Sequence, residues 1–154
     1  MQFSPKRDDP LIDSIEALVH GLGLSLVEFS AARHHGSVQV RATVYRAGGV
    51  GVADCSKAHR AMLPRLELAF PDQEIFVEVA SPGIDRTIKD ASEFPFYVGR
   101  GVRCYRTDIS DWVAGVLEEA DESRLRLRSG GTVWEIPYGI VAKAKLDYSQ
   151  EVEV

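Results

Sequence analysis

The spacing of apolar residues changes character past the middle of the chain: helical and strand-like periods alternate in the first part, and short strands follow one another in the second. Leu11, Ile15, Leu18 and Leu22 recur at helical spacing after Asp9-Pro10, which supplies a capping carboxylate and a proline at the first helical position. Gly21 and Gly23 offer left-handed termination, and Leu24 to Phe29 then has the β-rich texture of a strand. Beyond a polar turn at His34-His35-Gly36, the residues Val38, Val40, Ala42 and Val44 alternate with Gln39, Arg41, Thr43 and Tyr45, so a strand there has one apolar face. After Gly48-Gly49, Asp54 is placed to cap a second helix carrying Cys55, Ala58, Met62, Leu66 and Ala69 on one side, with Pro64 predicting a kink or an early end. A strand over 74–80 groups Ile75, Val77 and Val79. The order helix, strand, strand, helix, strand predicts a two-layer α/β domain with both helices on one face of the sheet.

From residue 93 onward strand-like runs at 101–106, 112–119, 124–128, 132–136 and 140–146 are separated by turn chemistry at Asp121-Glu122-Ser123, Ser129-Gly130-Gly131 and Pro137-Tyr138-Gly139. Five short strands predict a small all-β barrel, and the fold class is α+β. The polar, proline-terminated stretch Lys89 to Pro95 reads as the junction, placing an α/β domain at 1–90 and the barrel at 91–154.

At 154 residues with 45% hydrophobic side chains, the chain can bury one core or two small ones. Its 18 Lys and Arg against 23 Asp and Glu give a net charge of -5, which disfavours a generic nucleic-acid coat. Cys55 and Cys104 stand in no disulfide or zinc spacing and fit packed positions in a reducing cytoplasm. No apolar run reaches the length of a membrane span, and the opening residues lack the apolar centre of a secretion signal, so no membrane association is expected.

Catalytic motifs are also missing from the sequence. His34-His35 has no carboxylate or cysteine at chelating distance and reads as a polar turn. Gly48-Gly49-Val50-Gly51 matches neither nucleotide-cradling pattern, and Ser81 lacks the glycine context of a nucleophile elbow. Neither an enzyme, a metal nor a cofactor is expected. The informative stretch is Ser81-Pro82-Gly83-Ile84-Asp85-Arg86, where Pro-Gly predicts a type II turn with glycine at positive φ. Asp85 and Arg86 there suit either a fixed hinge or a phosphate grip.

The run Val77-Glu78-Val79-Ala80-Ser81-Pro82-Gly83-Ile84-Asp85-Arg86, followed by Phe94, Val98 and Gly99, resembles the bacterial ribosome maturation factor RimP family. Gly21-Leu22-Gly23-Leu24 resembles the family's first helix-to-strand passage, and Gly51-Val52-Ala53-Asp54-Cys55 the loop before its second helix. Thr87 stands where proline is usual in that family, and Ala53 where an acidic residue is frequent. The resemblance implies a KH-like N-terminal α/β domain and a C-terminal SH3-like, Sm-like barrel. It further implies a cytoplasmic, monomeric, non-catalytic assembly factor that binds the free immature small (30S) ribosomal subunit, touching 16S rRNA and a decoding-centre ribosomal protein.

Ribosome-contacting candidates follow from charge and position: Ser81, Pro82, Gly83, Asp85, Arg86, Lys89, Arg100 and Arg103 around the bend, and Arg124, Arg126 and Arg128 on one strand face. Between 81 and 106 five cations face three carboxylates, a local reversal of the overall sign. From charge pattern alone a solvated surface is the preferred explanation of the first group, and a charged edge resisting aggregation explains the arginine stripe equally well. Trp112, Trp134 and Tyr138 could stack on RNA bases, yet large aromatics in a small barrel more often fill or cover its core; packing is expected for Trp134, and Trp112 suits either role. The competing functional reading is a general RNA-binding regulator, against which the net acidity argues.

Overall fold

The computed structural model describes residues 1–151, and the chain divides into two compact units: residues 7–82, and residues 1–6 together with 83 onward. The first unit contains α1 (Pro10–His20), β1 (Ser25–His34), β2 (Ser37–Tyr45), α2 (Val52–Ala69) and β3 (Glu74–Ala80). Its sheet has the order β1-β2-β3, with β1 antiparallel and β3 parallel to the central strand. A parallel partner requires a crossover, and α2 supplies it.

Asp9 caps α1 by accepting the Leu11 N–H at 2.9 Å, ahead of the proline. The buried face of α1 is Ile15 and Val19, with Leu11 and Ile12 beside them; Leu18 and Leu22, assigned to that face from spacing, are 36% and 37% exposed. The helix ends at His20, so Leu22 lies in the following turn, and positions 15 and 19 share a face more closely than 15 and 18. In β2, Val38, Val40, Ala42 and Val44 are buried as their alternation predicts, and Ala58, Met62 and Leu66 of α2 close over them. Each of the Val, Met and Leu side chains among them contributes about 1.5–3 kcal/mol on burial, and each alanine less.

Two expectations change here. Strand β1 runs on to His34 and pairs with Ser37, making a hairpin whose two-residue turn, His35-Gly36, has φ of 45° and 81°. The cap of α2 is Gly51, and Asp54 sits three residues later, accepting the Gly51 N–H at 2.9 Å and the Arg46 guanidinium at 2.8 Å. A carboxylate at that third position reaches back to the cap backbone, which a glycine cap cannot do with a side chain. Pro64 lies inside α2, which runs unbroken to Ala69.

The second unit holds β4 (Thr87–Ile88), a 3₁₀ helix (Ala91–Tyr97), β5 (Gly101–Arg106), β6 (Asp111–Ala120), β7 (Arg124–Ser129), β8 (Thr132–Pro137) and β9 (Val141–Leu146). The strands form one six-stranded sheet in the order β4-β9-β5-β6-β7-β8, whose neighbours are all antiparallel. Among the described residues no ladder joins β4 to β8, so this is an all-β sheet with two edges. The stretch read as a polar junction is core: Asp90 caps the 3₁₀ helix, and Ala91, Phe94 and Tyr97 are fully buried. Apolar residues three apart fall on one side of a 3₁₀ turn, which hides their burial from a strand or helix period. The unit therefore begins at Gly83 rather than at residue 91, since Thr87 and Ile88 pair with Lys145 and Ala144 of β9. The N-terminal residues join it too, with the Met1 amine donating to the carbonyls of Tyr138 and Val141.

Val102, Cys104, Leu117, Leu125, Leu127, Ile136, Ala144 and Leu146 form the buried face of this sheet. Burial pushes the Cys104 thiol up to about 12, so it packs as a small apolar group. Tyr138 is buried, donating its hydroxyl to the Asp121 carbonyl at 2.7 Å and stacking on Phe94, while Trp134, expected to pack, is half-buried.

Candidate functional site

Ser81 and Pro82 end the first unit, directly after β3, with Ser81 exposed and Pro82 half-buried. The turn that follows is centred on Ile84 and Asp85, closed by the Arg86 N–H on the Gly83 carbonyl at 3.1 Å. Gly83 is not among the residues with positive φ, so the expected Pro-Gly type II geometry does not form. Asp85 and Lys89 are exposed.

Arg86 lies at the start of the second unit with its side chain only 17% exposed, gripping Glu93 through Nε at 2.7 Å and Nη2 at 3.3 Å. The Tyr97 hydroxyl donates to the same carboxylate at 3.0 Å. The short spacing from 86 to 93 is bridged by β4 and the first turn of the 3₁₀ helix, which bring the two ends together. Arg100 reaches Glu151 at 3.0 Å, and Arg103 lies 3.4 Å from an Asp147 oxygen. That separation is an ion-pair contact without a hydrogen bond, and the Arg103 Nε is left with no hydrogen-bond partner among the described residues.

The alternation of β7 puts Leu125 and Leu127 inward and Arg124, Arg126 and Arg128 outward, as the sequence predicts. Each arginine meets a carboxylate: Arg124 and Arg126 share Glu135 at 2.7 and 2.6 Å, and Arg128 holds Glu118 at 2.9 Å. The Arg126 hydrogen bond, and then the charge of Arg124, hold Glu135 below the usual carboxylate range. These pairs are partly exposed to solvent, where water and salt screen them and each is weak. The stripe is thus a set of weakly held cations, not a bare positive surface.

Three places on the second unit therefore carry the cations: the start of β4, strand β5, and strand β7, with β6 between the last two. Two further cations lie beside the β5 group. Lys143 and Lys145 alternate with Ala142 and Ala144 on β9, and register puts Lys145 opposite Arg103 and Lys143 opposite Tyr105. Their i, i+2 spacing is legible in the sequence; that β9 adjoins β5 is not.

In the first unit, Gly48 and Gly49 have positive φ and Gly51 spends its N–H on Asp54, so the glycine loop is committed to its own helix cap. A shallow depression of about 480 Å³ lies between α2 and β3, lined by Cys55, Ser56, His59, Arg60 and Glu78 among others. Among the described residues no cluster of three or more His, Cys, Asp or Glu could hold a metal ion, and no helix is long and apolar enough to cross a membrane.

A family model, the RimP N-terminal domain, matches residues 14–85, from within α1 through β1, β2, α2 and β3 to the Ser81-to-Asp85 passage. The chain belongs to the RimP family. RimP proteins are ribosome maturation factors, so the relevant surfaces are those that meet a ribosomal particle. The RimP N-terminal domain match covers Ser81, Pro82, Gly83 and Asp85 and ends one residue before Arg86.

Proposed function

We propose that this protein binds the free, immature small ribosomal subunit and assists its maturation without covalent chemistry, touching 16S rRNA and a decoding-centre ribosomal protein. The RimP N-terminal domain over 14–85 is the observation that carries this reading. In the proposal the protein works in the cytoplasm as a monomer, its first unit KH-like and its sheet of six strands curled into an SH3-like, Sm-like barrel. Binding energy holds an rRNA and protein arrangement near its mature form, shifting a population rather than driving a reaction.

Ser81, Pro82, Gly83, Asp85, Arg86, Lys89, Arg100, Arg103, Arg124, Arg126 and Arg128 are the proposed contacts. Their environments rank them. Lys89 is exposed, and the β7 arginines can exchange their partly exposed carboxylates for phosphates at little cost. Arg86 would have to abandon a largely desolvated bidentate partner, and so supports the binding surface rather than leading it. The net charge of -5 suppresses attachment to unrelated RNA and favours a partner that also offers basic protein segments.

Sedimentation of a cell extract at low salt tests this. Co-migration with free small subunits and absence from translating ribosomes are expected; tight, salt-sensitive binding to unrelated RNA would favour a general RNA-binding regulator instead.

A further inference from the structure

The outward side of β9-β5-β6 gathers aromatic and cationic side chains in two adjacent rows. Register aligns Lys143, Tyr105 and Trp112 across the three strands, and Lys145, Arg103 and Ala114 in the next row. Neighbouring strands are about 4.8 Å apart, and the two lysines are about 7 Å apart along β9, comparable with successive phosphates on an extended nucleic-acid strand. Trp112 is 40% exposed, with the Arg103 guanidinium 5.5 Å from its ring centroid and Tyr105 edge-on at 5.6 Å. Ile109, in the β5-β6 connection, is 51% exposed.

The charge state of this face differs from that of β7. Lys143 and Lys145 make no ion pair among the described residues, and Arg103 has only its 3.4 Å approach to Asp147. A partner therefore displaces no well-bonded carboxylate in order to reach them. A half-exposed indole on a face shared with three cations is the chemistry that binds unpaired nucleotides: the ring stacks on a base of any identity and the lysines neutralise the flanking phosphates. An acidic peptide would use the cations and leave the indole without a role.

We propose that Trp112, Tyr105, Arg103, Lys143 and Lys145 form a stacking platform for a short single-stranded RNA segment. The platform deepens the maturation-factor reading and rests on it for the source of that RNA, an rRNA stretch still unpaired in the immature particle. Trp112 stacks on one base, Arg103 fixes the indole and lies close to the same nucleotide, and Lys143 and Lys145 follow the backbone across β9. The RNA is read by shape and charge, without base-specific hydrogen bonds, so affinity depends on salt more than on sequence.

The test is binding of the full-length protein to a fluorescent single-stranded RNA dodecamer of mixed sequence, measured by anisotropy over a range of salt concentrations. Trp112→Ala is expected to weaken binding about tenfold and Trp112→Phe to recover most of it. Lys143→Gln with Lys145→Gln is expected to lower the salt slope by about 1.4, that is about 0.7 for each lysine that no longer neutralises a phosphate of the single strand. Unchanged affinity in Trp112→Ala and an unchanged salt slope in the double lysine variant overturn the platform, with circular dichroism confirming that each variant is folded. A parallel sedimentation with free small subunits separates the two readings. Wild-type protein that pellets with subunits while all three variants pellet equally, or ultraviolet crosslinks from this face to a ribosomal protein instead of rRNA, sinks the platform and leaves the maturation role standing. Trp112-dependent RNA binding by a protein that ignores small subunits does the reverse.

Discussion

Arg86 shows how one side chain can be conspicuous in sequence for its charge and occupied in the fold by a partner. Its guanidinium is desolvated against Glu93, which Tyr97 also holds, so removing the cation strands a carboxylate whose side chain is 13% exposed. Arg86→Ala is expected to cost about 1–3 kcal/mol. Arg86→Lys should recover only part of this, because a single ammonium cannot reproduce the two-point grip. Denaturant midpoints measure both, and a variant as stable as the wild type would show the ion pair to be incidental. Asp90 offers a pH-dependent counterpart. Burial raises its pKa, but hydrogen bonds from Ser4 and Ser92 outweigh burial and bring it down to about 2. A carboxylate depressed in the folded state stabilises fully above its ordinary range and loses that contribution as pH falls through its folded value. The stability gap between wild type and Asp90→Ala, about 1 kcal/mol after allowance for solvent screening, should therefore be constant above about pH 5 and shrink toward about pH 2. A gap that does not change with pH would contradict the assignment.

At the scale of elements, local periodicity is a good guide wherever the chain packs against near neighbours. The alternation in β2 and the apolar side of α2 both correspond to buried faces, because each repeats often enough to fix its phase. It fails where an element is too short to show a period. Strand β4 has two residues and owes its existence to β9, more than fifty positions away, and the 3₁₀ helix hides three buried side chains inside a polar, proline-containing run. Close approach of strands is equally invisible in sequence. A Cβ at Gly115 would lie 2.5 Å from the Arg128 carbonyl oxygen, and one at Gly101 would collide with the Asp147 carbonyl, so neither strand has room for a side chain there. Gly115→Ala should cost about 1–3 kcal/mol by forcing β6 and β7 apart. It should also disturb the outward arginines of β7, visible as shifted amide resonances from 124 to 128. A variant with wild-type stability would mean that the two strands can separate freely.

For the molecule as a whole, the two-part organisation and the sign of each charged stripe are legible in the sequence, because both depend on residues close together in the chain. The partners of the cations are not. Arg100 meets Glu151, Arg103 meets Asp147, and Arg124 and Arg126 converge on Glu135, contacts created by strand order rather than by spacing. The same strand order brings Lys143 and Lys145 beside Arg103 and Trp112, which no linear charge count could reveal. An acidic chain can thus present local cationic faces of two kinds, one weakly neutralised on β7 and one open on β9-β5-β6. Both suit engagement with a partly assembled particle better than with free polyanion. The most direct measurement is the ribosomal profile of cells depleted of this protein. Accumulation of free small subunits carrying unprocessed 16S rRNA, reversed by restoring the wild-type chain, is the predicted result; an unaltered ratio of free to assembled subunits with fully processed 16S rRNA would contradict it.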